Sequence, residues 1–461
     1  MTRSSTSSIA DLPDGLPKPR RYYAAATLLA AIAITVLDAS MSNVALPTIA
    51  AEMAIPAAAV VWVAIAYSLT IVMTLLPLSA IAERIGLGRM FAAGTTVFLL
   101  ASLGAAFSQD FTTLILARIA QGLGSSMLMC LFGGLVRNIY PLRRLAMGLS
   151  LNAMTVSLTA VLGPSLGAFI LDLASWRWMF FINVPICFLT WFGIRYLPVV
   201  PRNSRPFDWF ACFLSLPVFG LSILGLDLLA GQPLWGVLCL TVAALCGYVL
   251  IKRSLQQVAP IVPVDLLRIT PVAYAVGASA FSFAAQMATV VALPFFFQRV
   301  MDFTYTQIGV MLGIWSLGVG VMAPISAWLS GRYSIAIMCA IGAACMALGT
   351  GSLLLYDAHT ALGWVMLSMG VGGFGFGLFQ TPNNRALLAG VPRQRSAAAG
   401  GMQATTRVYG QSFGTALVAL AFAFGQEHGP ALGVLVATLC AIGSLVINIA
   451  RHRNPASDPQ L

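Results

Sequence analysis

The sequence predicts an all-α polytopic membrane protein with 14 transmembrane helices, and three observations carry that prediction. Of 461 residues, 59% are hydrophobic and only 8% are charged. Soluble chains carry about 25% charged residues, so there is too little polar surface here to coat a soluble multidomain enzyme. The apolar residues gather into stretches of the roughly 20 residues needed to cross a hydrocarbon core. The Lys and Arg residues fall almost wholly on alternate joints between those stretches, the pattern of loops retained on one side of a membrane.

In order, the stretches run over residues 24–47, 58–82, 90–108, 112–136, 145–172, 178–198, 207–229, 233–251, 271–297, 306–329, 335–356, 361–387, 397–424 and 430–450, here spans 1 to 14. Polar or Pro/Gly-containing joints separate them. With the amino terminus inside, all but four of the 25 Lys and Arg residues lie on the cytoplasmic side. Arg177 and Arg299 face outward, and Arg118 and Arg407 lie within spans. Dropping one span would invert every later loop. The asymmetry therefore supports the count and places both termini in the cytoplasm, with the chain threading an inner or plasma membrane many times. Trp62, Trp176, Trp178, Trp209, Trp235, Trp328 and Trp364 sit near span ends, where an aromatic belt belongs. Trp315 lies mid-span as a candidate cavity residue. Residues 1–22 are polar and read as a disordered tail. The apolar stretch after Arg20 and Arg21 is too long for a cleavable signal peptide.

The net charge is +11, but its distribution explains it through the membrane and not through nucleic acid. Eight cysteines are scattered through apolar segments with no CxxC pair, and the three histidines fall in joints or the tail. No metal or haem constellation is visible, so no cofactor is expected.

The informative residues are the charges inside spans. A carboxylate at the bilayer centre costs about 2.5–3.5 kcal/mol on insertion scales, and span 1 carries Asp38 within LDASMSNVALP, Leu37 to Pro47. Thr35, Asp38 and Ser42 are spaced i, i+3, i+7 and share one helical face. In span 4, LARIAQGLGSS repeats that spacing with Arg118, Gln121 and Ser125. Span 4 descends while span 1 ascends, so Asp38 and Arg118 reach similar depths and can interact. Span 13, in MQATTRVYGQSFG, places Gln403, Arg407 and Gln411 on one face. Span 2 adds Tyr67, Thr70 and Thr74, span 5 adds Asn152, Thr155 and Thr159, and span 9 offers Gln286. These polar stripes mark either a cavity wall or hydrogen bonding between helices. After span 2, SAIAERIGLGR carries Glu83 and Arg84, with Gly86 for a tight turn before Arg89. In span 5, VLGPSLGA sets Gly163, Pro164 and Gly167 mid-membrane, as a hinge or a tight packing seam.

Taken in series, these motifs resemble the major facilitator superfamily, specifically its fourteen-helix drug–proton antiporter branch. LDASMSNVALP is similar to that branch's span 1 signature, SAIAERIGLGR to the superfamily's loop after helix 2, LARIAQGLG to its helix 4 motif and VLGPSLGA to its helix 5 antiporter motif. SWRWMFFINVP and TTRVYGQSFGTAL are similar to the branch's helices 6 and 13. The loop motif departs from type: Ser79 and Glu83 stand where the family has Gly and Asp. The resemblance implies two six-helix bundles, residues 23–198 and 271–450, with an inserted helix pair and linker over 199–270 and a short cytoplasmic tail over 451–461. It also implies efflux by alternating access, energised by a proton gradient. Asp38 would then carry the proton with Arg118 as its coupling partner. Glu83, Arg84, Gly86 and Arg89 would gate the inner ends of the halves, and Gly163, Pro164 and Gly167 would lie on the rocking seam.

The expected function is therefore proton-coupled export of amphipathic organic compounds by a monomer embedded in the bilayer. The alternative is transport of an organic anion, bound by Arg407 and moved by a symporter or an exporter. A membrane enzyme is disfavoured because no His lies inside a span and no joint holds paired carboxylates.

Overall fold

The computed structural model describes residues 15–55, 57–60, 62–200, 208–229, 231–257, 260, 262–392, 395–425 and 428–454. Among them there is no strand. The helices are α1 (Arg20–Glu52), α2 (Ala57–Val60), α3 (Trp62–Ile85), α4 (Leu87–Ala106), α5 (Phe111–Ile139), α6 (Leu145–Leu173), α7 (Trp178–Phe181), α8 (Asn183–Gly193), α9 (Trp209–Leu228), α10 (Pro233–Ser254), α11 (Thr270–Arg299), α12 (Tyr305–Leu329), α13 (Ile335–Leu353), α14 (Leu362–Ala389), α15 (Ser396–Gly425) and α16 (Gly429–Arg453).

Among the described residues, 12 helical stretches are long and apolar enough to cross a bilayer, against the 14 expected. One of the 12, Trp178–Tyr196, is built from α7 and α8, so span 6 is two helical pieces that meet at Ile182. Two long helices stand outside the 12: α6, of 29 residues, and α15, of 30.

The amino-terminal tail ends sooner than expected. Leu16 is buried, its N–H donates to the Ile139 carbonyl at 3.0 Å, and Arg21 Nε donates to the Leu16 carbonyl at 2.8 Å. Residues 15–22 are therefore part of the folded bundle. Residues 1–14 and 455–461, with the remaining tail expectations, lie outside the described residues, as do Arg202, Arg205 and Arg393.

Packing follows two sets of neighbours. In the first half α1 lies on α6 and α8, and α5 on α3 and α4. In the second half α11 lies on α15 and α16, α14 on α12 and α13, and α13 on α16. Across the halves α15 packs on α3 and α5, while α6 packs on α12 and α14. Helices α9 and α10 pair with each other, and α9 touches both α3 and α15. Gly163 and Gly167 make the α6–α1 contact possible: a Cβ on Gly163 would lie 2.4 Å from Ser40 Cβ, and one on Gly167 3.3 Å from Met41 Cα. Helix α6 runs unbroken through Pro164, which favours the packing seam over a break. Gly86 takes φ 98° in the turn between α3 and α4, a conformation that costs a residue with a Cβ.

The cores differ between the two ends of the molecule. At the end carrying Arg84, Arg137 and Arg395, one core joins both halves, with Leu75, Leu131, Leu135 and Leu149 against Phe379, Leu387, Ala397 and Met402. Towards the other end each half has its own core, one around Trp176 and Phe180 and the other around Phe296, Phe297 and Trp315. The hairpin is pinned at the arginine-rich end by Asp208, which caps α9 through the Ala211 N–H and pairs with Arg253 and Gln257. Partial burial raises the Asp208 carboxyl, but these donors outweigh it and hold it at about 2.

Two outcomes are expected. Gly400 is pressed against backbone, since a Cβ there would lie 2.9 Å from Gly134 N and 3.0 Å from Cys130 O. Gly400→Ala should therefore destabilise the fold by about 1–3 kcal/mol in thermal unfolding of the purified protein, whereas Gly313→Ala, with open space at that position, should not. A depressed carboxylate contributes stability above its ordinary value of 3.8 and loses it as pH falls towards about 2. Wild type and Asp208→Asn should thus differ in thermal midpoint at neutral pH and converge on acidification across that window.

Candidate functional site

Asp38 sits on the unbroken helix α1, and Arg118 on α5, where an unbroken α-helix keeps Arg118, Gln121 and Ser125 on one face. The two charges meet: Arg118 NH1 lies 2.7 Å from Asp38 Oδ2, each side chain 1% exposed. Asp38 Oδ1 accepts hydrogen bonds from Gln121 Nε2 and Asn183 Nδ2, both at 2.7 Å. Arg118 also donates to Gln121 Oε1 at 2.6 Å and, through Nε, to the Val63 carbonyl at 3.0 Å. Its guanidinium lies 4.3 Å from the centre of the Tyr67 ring. Gln121 Nε2 continues to Ser102 Oγ at 2.9 Å. Tyr67 donates to Ser125 Oγ at 2.9 Å and approaches the Thr35 carbonyl at 3.3 Å.

Two buried charges repay their desolvation only where the geometry is good and the remaining polar atoms are bonded, and here both carboxylate oxygens are engaged. Two acceptors stay open. Asn183 Oδ1 and Ser42 Oγ are buried with no hydrogen-bond partner among the described residues. Asn183 and Ser102 escaped the sequence reading. Asn183 had a signal, an amide within the apolar SWRWMFFINVP segment; Ser102 is a neutral residue with none.

Of the expected gating residues, Glu83 reaches across the halves. Glu83 Oε1 accepts from the Ala398 N–H at 3.0 Å, in the first turn of α15, and Glu83 Oε2 accepts from Arg395 NH1 at 2.7 Å. Arg395 NH2 also pairs with Asp265 at 3.1 Å. The cation joined to Glu83 across the halves is thus Arg395, which the motif did not indicate. Arg84 is half-buried and Arg89 exposed.

The expected cavity residues divide into three groups. Thr35, Ser42, Tyr67 and Gln121 are buried around Asp38. Trp315 is buried in the second half's core, with its ring against Gly372. Thr70, Asn152, Thr155, Gln286, Gln403, Arg407 and Gln411 are half-buried. Of these, Gln411 Nε2 reaches Gln286 Oε1 at 3.3 Å, joining α15 to α11. Arg407 has no ion pair or hydrogen bond among the described residues.

Among the described residues, a dozen bilayer-length helices in two halves around a buried charge cluster define a polytopic membrane protein. The sequence model of the Major Facilitator Superfamily matches residues 28–415, and the chain belongs to that family. It is similar to an uncharacterized transporter, YebQ, of Escherichia coli (strain K12), at 38% identity over 451 residues, covering 96% of this chain and 98% of that protein. It is 28% identical over 394 residues to the riboflavin transporter RibZ of Clostridioides difficile (strain 630), covering 85% and 86%. It is 29% identical over 408 residues to the multidrug export protein EmrB of Escherichia coli (strain K12), covering 83% and 76%. Among solved structures, the proton:xylose symporter XylE shares the fold with a TM-score of 0.67 at 13% identity, covering 94% of this chain and 95% of that one.

Removing one partner of a buried pair strands the other charge. Arg118→Met should lower stability by about 3–5 kcal/mol in thermal unfolding. Adding Asp38→Asn to it should recover a large part of that loss, because the stranded carboxylate is then gone.

Proposed function

We propose that this chain is a proton-coupled secondary transporter that exports amphipathic organic compounds by alternating access. The observation that carries the reading is the buried Asp38–Arg118 pair with its open acceptor on Asn183. As a carboxylate, Asp38 accepts from Arg118, Gln121 and Asn183. When it takes up a proton it acquires an O–H and must find an acceptor. Rotation of the Asn183 amide by half a turn presents Oδ1 to that O–H, while Arg118 keeps Gln121 Oε1 and the Val63 carbonyl. The protonated carboxyl then has an acceptor, and the Arg118 charge released from it is what a change of state would have to accommodate.

The packing supports a rocking motion. The α3–α15 and α6–α12 contacts exchange with each other if spans 1–6 and 9–14 are repeats. Helices α6 and α15 complete two six-helix bundles, which with α9 and α10 make 14 crossings. Both are long enough, since 29 residues at 1.5 Å each reach about 43 Å, beyond a hydrocarbon core of about 30 Å. With the arginine-rich end in the cytoplasm, the joined core and the Glu83–Arg395–Asp265 contacts close the inner side, and the separate cores leave the outer side free to part. Both termini then lie inside. Export of varied organic compounds draws on the similarity to EmrB; the similarity to RibZ keeps a single metabolite in view as cargo.

A second reading is favoured by one observation. Arg407 is a half-buried cation on α15 without an ion pair among the described residues, while the deep acid Asp38 is already neutralised by Arg118. The free charge is positive, so organic anions suit the pathway better than dications.

The test is transport in proteoliposomes with an imposed pH gradient. Asp38→Asn should abolish gradient-dependent accumulation while leaving substrate binding within about threefold. Equal gradient dependence in the two proteins overturns proton coupling through this residue. Arg407→Gln should reduce export of a carboxylate-bearing amphiphile by about tenfold or more, the scale of one lost charged hydrogen bond, and spare a neutral analogue.

A further inference from the structure

At the arginine-rich end, the segment before α1 folds against the joint between α5 and α6. The contact is tight. A Cβ on Gly15 would meet Pro141 N at 2.5 Å, and Leu16 is tied to Ile139. The result is an open cleft of about 430 Å³ lined by Lys18, Arg21, Pro141, Arg143 and Arg144. Four of its five lining residues are cations. Among the described residues none of the four has an ion-pair partner. Two other cations at this end are answered by carboxylates: Arg253 pairs with Asp208, and Arg395 with Glu83 and Asp265. Like charges gathered in one concavity repel, and an anion in the cleft relieves that repulsion.

The surroundings specify what kind of anion. The cleft lies where α1 begins at Arg20, α5 ends at Ile139 and α6 begins at Leu145, so it stands at the membrane surface. Beside it, Tyr22 is 56% exposed, Tyr23 52%, Leu142 41% and Met147 47%. A soluble anion has no use for an apolar apron of this kind; a headgroup that trails acyl chains does. Basic pockets at the ends of spanning helices hold anionic lipid headgroups on this principle.

We propose that the cleft of Lys18, Arg21, Arg143 and Arg144 binds the phosphate headgroup of an anionic phospholipid. The bound lipid joins the amino-terminal segment to the α5–α6 joint. Both elements reach the shared core, where Leu16, Ile139 and Leu145 are members. This site is separate from Asp38 and Arg407, so its failure leaves the transport reading untouched, and the reverse.

The experiment is native mass spectrometry of the full chain in detergent, titrated in turn with phosphatidylglycerol, phosphatidylethanolamine and inorganic phosphate. Wild type should retain one phosphatidylglycerol in preference to phosphatidylethanolamine. The triple variant Lys18→Gln, Arg143→Gln, Arg144→Gln should bind it at least about tenfold more weakly, each basic residue being worth several-fold at a lipid surface. Arg453→Gln, which removes an exposed cation at the same end, should bind as wild type, and a monodisperse elution profile checks that each variant is folded. Equal retention by wild type and triple variant overturns the proposal, as does equal binding of the two lipids. Displacement of bound lipid by millimolar phosphate makes this a soluble-anion site and also overturns it.

Discussion

The carboxylate of Asp38 is the constraint around which the first half is built. In the middle of an apolar helix it can be held only if both of its oxygens are answered, and the answers come from several directions at once. Arg118 and Gln121 arrive from α5 and Asn183 from α8, while Ser102 on α4 steadies Gln121. Helices α1, α4, α5 and α8 must therefore pack in one register, because a shift of one helical turn, about 5.4 Å, would break the cluster. The guanidinium adds its own demands, a carbonyl at Val63 and the face of Tyr67, and these tie in α3. Five helices are positioned by one ion pair. That also explains why small and hydroxylated residues crowd the same depth: backbones must come close for side chains this short to touch.

The second half is joined to the first at one end only by a continuous core, and that end also carries the polar contacts across the halves. Glu83 is held both by Arg395 and by the Ala398 N–H in the first turn of α15. A carboxylate there is favoured by the partial positive charge of a helix amino terminus. Asp265 brings a third party. It lies in the linker between the α9–α10 hairpin and α11, so the linker grips the same arginine that bridges the halves. Separating the halves at this end means exposing apolar surface from Leu131, Leu135, Ala397 and Met402 and parting Glu83 from Arg395 and the Ala398 N–H. As part of the proposed cycle, this is the end that must part when cargo enters.

How far the sequence discloses this depends on cost. Asp38, Arg118 and Gln121 were legible because a charge inside a span demands a partner, and helical periodicity fixes which face it is on. Glu83 was legible from its loop, but Arg395 was not, since it lies more than 300 residues away and nothing local links the two. Asn183 and Ser102 are neutral, pay little to be where they are, and so leave a weak trace. The spans themselves follow from apolar length, and most bounds fall close to the helix ends. The exceptions have physical causes. The break at Ile182 lies inside an apolar run, where hydropathy carries no mark of it. Residues 15–22 read as polar tail, yet one apolar side chain, Leu16, finds a buried place against α5. Polar composition averages over a window; a single anchored residue does not register in it.

The two deep arginines separate structure from availability. Arg118 has its charge neutralised, its Nε bonded to a carbonyl and its face covered by an aromatic ring. A group so fully answered holds its place, and its chemistry is spent on Asp38. Arg407 lies in a helix that contacts both halves, half-buried and without such answers among the described residues. Charge in a low-dielectric setting with no protein counter-ion is a cost that folding alone does not explain. It is tolerable where water reaches the group, and useful where a ligand does. Helix α15 is also the element whose first turn Glu83 grips, so whatever occupies Arg407 acts on the same rigid rod that the latch holds. In the proposed cycle, a negatively charged cargo at that guanidinium and a proton at Asp38 would bear on one interface from its two sides, α15 in the second half and the α5 cluster in the first. The proposed coupling would then have a mechanical basis in helix packing and would require no direct contact between cargo and proton.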